Sequence, residues 1–305
     1  MTRWPAPALS ILIYHRVLAR ADPLLPGEPD GAQFERHLRL LKRCFNVLPL
    51  GQAARRLRDG TLPWRAACIT FDDGYADNAE VALPLLQKYG LDACFFIATG
   101  YLDGGQMWND RIIERVRHAA GGELDLSAHG LGRLPLGSVA QRLLAIDAIL
   151  GALKYQPFER RQAVAAAIHD QGAYPRRAAL MMSSAQVVAL RRAGMEIGAH
   201  TQRHPILAQQ ADPEARSDIG AGKRQLEQLL QAPVTLFAYP NGKHGRDYGA
   251  QHVDIVKSLG FEAAVATDWG VARAGCDLFQ LPRFTPWDRG SVRFLLRLGQ
   301  NMLRA

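Results

Sequence analysis

Short, continuously apolar segments alternate with amphipathic segments along this chain, and this alternation limits its possible folds more than any other feature. Three of the apolar segments, Ser10–His15, Ala66–Phe71 and Ala93–Thr99, lie before residue 100. Because they are apolar throughout, we expect strands that are buried on both faces. Segments with helical spacing, Phe34–Phe45 and Asn78–Tyr89, follow the first two. Strand, helix, strand is the beginning of a parallel α/β sheet.

The same order resumes after an interruption. Residues 101–180 contain helical segments and a Gly/Leu-rich loop near 121–137, and we interpret them as a mostly helical insertion because no linker rich in Pro, Gly or Ser bounds them. We then predict strands at Met195–Ala199, Val234–Tyr239, Ala263–Thr267 and Leu278–Phe284, and helices at Ser184–Ala193, Pro213–Gln231, Tyr248–Leu259 and Ser291–Leu303. At 305 residues, such a chain is short enough to form one α/β domain.

Composition excludes several classes of protein. The net charge is +8, but the arginine pairs are scattered, so we expect no nucleic-acid binding; peripheral contact with an anionic membrane surface stays open. The four cysteines are flanked by apolar residues and predict small buried side chains instead of disulfides. No apolar stretch reaches the ~18 residues of a membrane span, and no signal peptide is evident, so we expect a cytoplasmic protein.

Polar residues at the ends of the predicted strands are the candidates for function. Adjacent strand residues point to opposite faces, so Asp72 and Asp73 serve one site only if the chain turns between them, and Gly74 permits that turn. An N-cap of the next helix is the alternative. His200 and His204 are four apart, and a single helical turn would bring both imidazoles to one side, as paired metal ligands require.

Three segments resemble the polysaccharide deacetylases with a NodB-homology domain, which are metal-dependent carbohydrate esterases. They are Thr70-Phe71-Asp72-Asp73-Gly74-Tyr75, His200-Thr201-Gln202-Arg203-His204 and Phe237-Ala238-Tyr239-Pro240-Asn241-Gly242, with weaker matches at Thr267-Asp268-Trp269 and Leu281-Pro282-Arg283. The resemblance implies an irregular, TIM-like (β/α) barrel over residues 1–305, carrying the helical insertion. In such barrels the C-terminal ends of the strands carry the active site.

The resemblance also implies roles for individual residues. Asp72 is expected as the general base, Asp73, His200 and His204 as ligands of one divalent metal ion, and the backbone N–H of Asn241 as an oxyanion donor. Zinc is the expected ion, with cobalt, nickel, manganese and iron as alternatives. Such a cation would acidify a water molecule and polarise the acetyl carbonyl of the substrate.

The chain departs from the family pattern at two positions. Ala238 stands where relatives commonly have an arginine that orients the base, so we expect Arg283 to replace it, with Asp268 as its partner. A late histidine, the general acid in many relatives, has no counterpart, and His15 is the best-placed substitute. Candidate substrate contacts are Tyr75, Tyr239 and Trp269, and Trp108 and Trp287 could also stack on sugar rings.

The predicted function is removal of N-acetyl groups from amino sugars of a glycan or glycan precursor, with release of acetate, in a cytoplasmic step of exopolysaccharide or lipid-linked glycan assembly. Two alternatives stay open: hydrolysis of an O-acetyl ester, and glycan binding without catalysis on the same scaffold. The sequence does not identify the sugar, its linkage or its chain length.

Overall fold

The computed structural model describes residues 7–174, 179–286, 288 and 290–303, without the side chain of Leu303. Trp287, one of the candidate sugar-stacking residues, lies outside the described residues.

The strands within the described residues are β1 (Ala8–Tyr14), β2 (Asn46–Val47), β3 (Ala66–Phe71), β4 (Cys94–Ile97), β5 (Glu123–Leu126), β6 (Gly132–Pro135), β7 (Glu196–Ala199), β8 (Leu236–Ala238), β9 (Ala263–Trp269), β10 (Ala272–Arg273) and β11 (Leu281–Arg283). The helices are α1 (Gly31–Cys44), α2 (Leu50–Arg58), α3 (Leu83–Tyr89), α4 (Trp108–His118), α5 (Val139–Lys154), α6 (Phe158–Asp170), α7 (Ser184–Arg192), α8 (Asp212–Leu230), α9 (Ala250–Ser258) and α10 (Ser291–Leu303). A π-helical turn, Asn78–Ala82, leads into α3.

The main sheet curls into a nearly closed barrel. Its strand order is β10-β1-β3-β4-β7-β8-β9-β11, with β2 paired to β3, and every pairing is parallel except β1 with β10. Hydrogen bonds join the segment directly after β11 to β1. The Ile13 N–H donates to the Phe284 carbonyl, and the Phe284 N–H donates to the Ile11 carbonyl. The predicted irregular (β/α) barrel is therefore confirmed.

Both faces of the barrel strands are buried, which explains their continuously apolar sequences. In β1, Leu9 and Ile11 belong to one apolar cluster, whereas Leu12 and Tyr14 belong to a second cluster that includes residues of the surrounding helices. Helix α2, which the sequence analysis missed, packs against the first cluster. The Gly51 N–H of α2 bonds to Glu196 at the start of β7, so α2 lies at the N-terminal ends of the strands.

The chain divides into two compact units. One contains the residues up to Ala21, Gly27–Gly104 and the residues from Met181 onward, and it holds the barrel. The other consists of Asp22–Pro26 and Gly105–Leu180, bounds close to those of the predicted insertion. That the whole chain is one domain stays a prediction.

The second unit is mostly helical, as expected, with a core formed by α4, α5 and α6. The predicted loop near residues 121–137 is instead a hairpin, because β5 pairs with β6 in antiparallel register. Leu124 and Leu126 of β5 are buried and the residues between and beside them are exposed, a two-residue period that identifies a half-buried strand.

Candidate active site

The paired aspartates follow β3 in a tight turn. The Asp72 N–H donates to the Tyr14 carbonyl at the end of β1, and the Gly74 N–H donates to the Asp72 carbonyl at 3.0 Å, which closes a three-residue turn. Asp73, at the centre of this turn, has φ 77°, and Gly74 has φ 92°. The reversal thus begins at Asp73 itself and continues through the predicted Gly74. It carries both carboxylates to the end of the strand instead of to opposite faces.

The two histidines lie in the histidine loop, residues 200–204, directly after β7. The predicted helical turn is wrong: Thr201 and His204 have φ of 63° and 54°, in the left-handed region. The loop nevertheless brings the imidazoles together, with ring centroids 4.8 Å apart. Backbone strain of this kind is typical of functional sites.

Asp73, His200 and His204 form a set of donors suited to a metal ion. The Oδ1 atom of Asp73 lies 3.4 Å from Nε2 of His200 and 3.3 Å from Nε2 of His204. One donor atom of each residue lies within 4.8 Å of the others. Nδ1 of His200 is 2.7 Å from the Ala238 carbonyl oxygen. Because a carbonyl only accepts, Nδ1 carries the hydrogen, and the Nε2 lone pair of neutral His200 is free for a cation. The donors therefore fit a divalent ion.

Asp72 forms a buried ion pair with Arg283. Nη1 and Nη2 of Arg283 donate to Oδ1 and Oδ2 of Asp72 at 2.7 and 2.6 Å. Nε donates to the Ala266 carbonyl, and Nη1 also donates to Thr70 Oγ1. Asp72 and Arg283 are 2% and 1% exposed. With both carboxylate oxygens bonded to one planar guanidinium, the orientation of Asp72 is fixed.

The charges of the site determine how its groups ionise. Burial raises the pKa of the Asp72 carboxyl, but Arg283 and His200 outweigh burial and hold that pKa below its ordinary value. Burial likewise raises the pKa of Asp73, but His204 and His200 lower this pKa by more than burial raises it, so the net shift is downward. Burial lowers the pKa of His200, whereas the two carboxylates raise it, and the carboxylates prevail. Both aspartates are therefore ionised at neutral pH and attract positive charge.

Comparison with known proteins identifies the family. The family model described as polysaccharide deacetylase matches residues 59–151 and 159–264. The chain belongs to the polysaccharide deacetylase family. A protein of Bacillus subtilis (strain 168), YxkH, whose name describes it as a polysaccharide deacetylase, is 34% identical over 91 residues. That match spans only 29% of this chain and 31% of YxkH.

Solved structures support the same barrel for this member of the family. The Streptococcus pyogenes deacetylase PplD, in complex with acetate, is 20% identical with a TM-score of 0.64, and the match covers 97% of this chain and 98% of PplD. IcaB from Ammonifex degensii is 18% identical with a TM-score of 0.62, covering 94% of this chain and 97% of IcaB. At these identities the likeness concerns the fold.

The partner predicted for Arg283 is wrong. Asp268 lies in β9 and accepts a hydrogen bond from the His244 N–H, and its carboxylate is 3.7 Å from Nζ of Lys243. The donors of Arg283 are instead engaged by Asp72, Thr70 and the Ala266 carbonyl. Asp268 is only partly buried, so solvent and Lys243 can stabilise its charge and it does not need Arg283 as a partner.

Asn241 occupies a second three-residue turn. The Gly242 N–H donates to the Pro240 carbonyl at 2.7 Å, and Asn241 has φ 60°. The Thr267 hydroxyl donates to the Asn241 carbonyl. Among the described residues, no group accepts a hydrogen bond from the Asn241 N–H. The turn thus repeats the geometry at Asp73 and leaves this N–H available to another acceptor.

His15 follows β1 and is half-buried. Its charge lowers the pKa of both Asp72 and Asp73, so its imidazole lies within electrostatic reach of the two carboxylates. The side-chain amide of Asn78 donates to the His15 carbonyl at 2.9 Å and anchors its backbone.

Two of the predicted substrate contacts do not hold. Tyr239 is fully buried and its ring stacks on Tyr248, with centroids 3.8 Å apart. Tyr75 is 3% exposed, and the guanidinium of Arg16 lies 4.7 Å from its ring centroid. Neither ring presents a surface to a sugar. Trp269 is 48% exposed at the end of β9, and its predicted substrate contact stays a prediction.

Sequence reasoning missed two residues that shape the site. Thr70 donates its hydroxyl hydrogen to the Leu12 carbonyl and accepts from Arg283, and its position inside the Thr-Phe-Asp-Asp-Gly-Tyr segment was the available signal. Asp218 is buried in α8, and its carboxylate contacts the histidine loop. An aspartate is unfavourable inside a helix, which is a weak signal that it has another task.

Proposed function

We propose that this family member hydrolyses the N-acetyl group of an amino sugar within a glycan and releases acetate. The observation that best supports this function is that the candidate metal ligands lie next to the carboxylate of Asp72. Nε2 of His200 is 3.4 Å from Asp73 Oδ1 and 4.0 Å from Asp72 Oδ2. The candidate metal ligands therefore lie beside a carboxylate that an arginine holds in place, as metal-assisted hydrolysis requires.

In this proposal Asp73, His200 and His204 hold one divalent cation. When bound, the cation would acidify the attacking water and polarise the acetyl carbonyl. Zinc is the expected ion because its usual catalytic ligands are imidazoles and a carboxylate, although the same donors accept cobalt, nickel, manganese or iron.

Asp72 acts as the general base. Its lowered pKa keeps the carboxylate ionised, and hence able to take a proton, at neutral pH. A carboxylate offers about four lone-pair positions, and Arg283 occupies two of them. The remaining lone pairs can accept the proton of the attacking water while Arg283 keeps the carboxylate in one orientation.

Two further groups complete the proposal. The Asn241 N–H, free within the described part of the chain, would donate to the oxyanion that develops on the acetyl oxygen. His15 would donate a proton to the leaving amine. It directly follows β1 as Asp72 directly follows β3, and the last residues of these two strands, Tyr14 and Phe71, are paired.

The two alternatives differ in their support. Glycan binding without catalysis was suggested by the absence of the family arginine at Ala238 and of a late histidine. Arg283 supplies a guanidinium to Asp72 from another strand, which answers the first of these two points. Hydrolysis of an O-acetyl ester would use the same groups and differs only in the leaving group.

The test is acetate release by the purified protein with zinc or cobalt. N-acetylglucosamine oligomers and an O-acetylated glycan are supplied separately, and acetate and free amine are both measured. The proposal predicts one amine for each acetate from the oligomers. Acetate from the O-acetylated glycan alone would favour the esterase. If no acetylated glycan yields acetate and the Asp72→Asn variant still binds glycan, the protein is a glycan-binding protein without catalysis.

A further inference from the structure

The conformation of the histidine loop needs support from outside it. Thr201 and His204 both have left-handed backbones, with φ of 63° and 54°. For residues other than glycine this conformation costs about 1–2 kcal/mol each. Such strain persists only where the surroundings determine the backbone. The groups around the loop therefore decide where the His204 imidazole lies.

Asp218 of α8 supplies the charged part of this support. Its Oδ1 accepts from the N–H groups of Gln202 and Arg203 at 2.8 and 3.0 Å. Its Oδ2 accepts from Nε of Arg203 at 2.7 Å. The Asp218 side chain is 1% exposed. Hydrogen bonds to a buried carboxylate are stronger than neutral ones, so this group holds the loop more firmly than an amide would.

Further backbone groups of the loop are also engaged. The Thr201 hydroxyl oxygen accepts from the His204 N–H at 3.0 Å. The carbonyls of Thr201 and Gln202 accept from the Thr99 and Gly100 N–H groups, at 3.3 and 2.8 Å. Hydrogen bonds thus hold the N–H groups of Gln202, Arg203 and His204 and the carbonyls of Thr201 and Gln202 while the loop is in its strained form.

Gly222 brings α8 against the loop directly. It lies one helical turn after Asp218, on the same face of the helix. A Cβ at this position would meet the carbonyl carbon and oxygen of Thr201, each at 2.6 Å. Only glycine permits this approach, so the position of α8 and the backbone of the histidine loop are coupled.

We propose that Asp218 is a positioning residue for the metal site, which holds His204 in the conformation that binds the cation. The inference rests on the proposed function only in taking His204 as a metal ligand. Asp218 does not touch the donor set. It acts through the backbone of Gln202 and Arg203, and it sets the affinity for the metal by fixing the loop before binding.

The experiment compares metal binding by variants of the full chain stripped of metal. Asp218→Asn keeps the size of the side chain but replaces an acceptor with a donor that faces N–H groups. Arg203→Gln removes one of the three donors and is the milder change. His204→Ala defines the loss of a ligand. The matched control is Leu226→Ala, also in α8 and fully buried, which destabilises the fold through the apolar core.

Zinc affinity is measured by competition with a chelating dye, the cobalt absorption spectrum reports the ligand geometry, and urea unfolding without metal reports stability. Asp218→Asn should weaken zinc binding about 10- to 100-fold and move the cobalt spectrum toward that of His204→Ala. Arg203→Gln should change both less. Leu226→Ala should lower stability and keep wild-type affinity and spectrum.

Wild-type affinity and spectrum in Asp218→Asn would overturn the inference, as would an equal loss of affinity in Leu226→Ala, because stability alone would then explain the effect. A wild-type protein that binds neither zinc nor cobalt, or a His204→Ala variant that binds both as the wild type does, would instead overturn the metal site of the proposed function.

Discussion

Asp72 and Asp73 are neighbours in the sequence, but their carboxylates have different surroundings. Asp73 faces two imidazoles that come from one short loop. Asp72 forms a buried, bidentate ion pair with Arg283, which is 211 residues away in the sequence. The turn at Asp73 separates the two carboxylates over a single peptide unit.

This difference teaches that adjacent, identical side chains can take separate tasks when the backbone turns between them. Asp73 and its surroundings suit a cation, since the carboxylate and the two imidazoles together offer three donors at close range. The surroundings of Asp72 already contain its positive partner, so they fix the orientation of the carboxylate. We therefore expect changes on the Asp73 side to act through the metal and changes on the Asp72 side to act through turnover and stability.

The largest effect is expected from removing the metal. Chelation should lower kcat/KM for N-acetylglucosamine oligomers by about 10³-fold or more, because a catalytic cation contributes several kcal/mol to the transition state. Zinc or cobalt should restore the wild-type rate and should fail to restore Asp73→Ala. An undiminished rate in protein shown by elemental analysis to be free of metal would contradict the comparison.

Arg283 variants test the other side. Arg283→Gln leaves the Asp72 carboxylate buried without its partner, and we expect it to lower the free energy of unfolding by about 3–5 kcal/mol. Arg283→Lys should lose less, since it keeps the charge but not the two-pronged geometry. Urea unfolding measures both, and zinc affinity should change little. A large loss of zinc affinity with unchanged stability would reverse the assignment of the two sides.

His15→Ala tests the proton donor. We expect kcat for the N-acetyl substrate to fall about 10²-fold, the lower range for general acid catalysis. Hydrolysis of 4-nitrophenyl acetate should change by no more than a few-fold, because its leaving group departs without a proton. Equal losses on both substrates would show that His15 supports the site generally and is not the donor.

The smallest effect is expected at Asp268. Asp268→Asn removes a partly exposed charge that contacts Lys243 and the His244 N–H, and we expect stability to change by no more than about 0.5 kcal/mol. Steady-state kinetics and urea unfolding check it. A loss approaching that of Arg283→Gln would mean that Asp268 supports Arg283 after all.

The sequence pattern predicted a parallel α/β sheet and the neighbourhood of the site for physical reasons, and the resemblance to the deacetylase family implied the barrel. Strands buried on both faces are apolar throughout, and parallel strands end at one face, so Asp72, His200 and Arg283 were expected near one another. No helix among the described residues is long and apolar enough to span a bilayer.

The remaining details depend on contacts between distant residues, which local patterns do not reveal. Spacing of four suggested a helical turn for His200 and His204. Instead, N–H groups of the loop donate to Asp218 and loop carbonyls accept from the segment after β4, and these bonds hold a loop with left-handed residues. Burial of Tyr75 and Tyr239 follows from packing, so their place beside the motifs was misleading. Asp268 was assigned as the partner of Arg283 because each residue was placed at the end of a strand. Position at a strand end does not specify which residues pair.

The most direct test of the central claim compares Asp72→Asn with Asp73→Asn in metal affinity and turnover. If the aspartates have separate tasks, Asp72→Asn binds cobalt within a few-fold of the wild type while its kcat falls by about 10³-fold. Asp73→Asn should bind cobalt at least about 100-fold more weakly than the wild type. Loss of a residue that only supports a metal ligand typically weakens binding by less. Equal loss of cobalt affinity in both variants, or wild-type affinity in Asp73→Asn, would contradict the account.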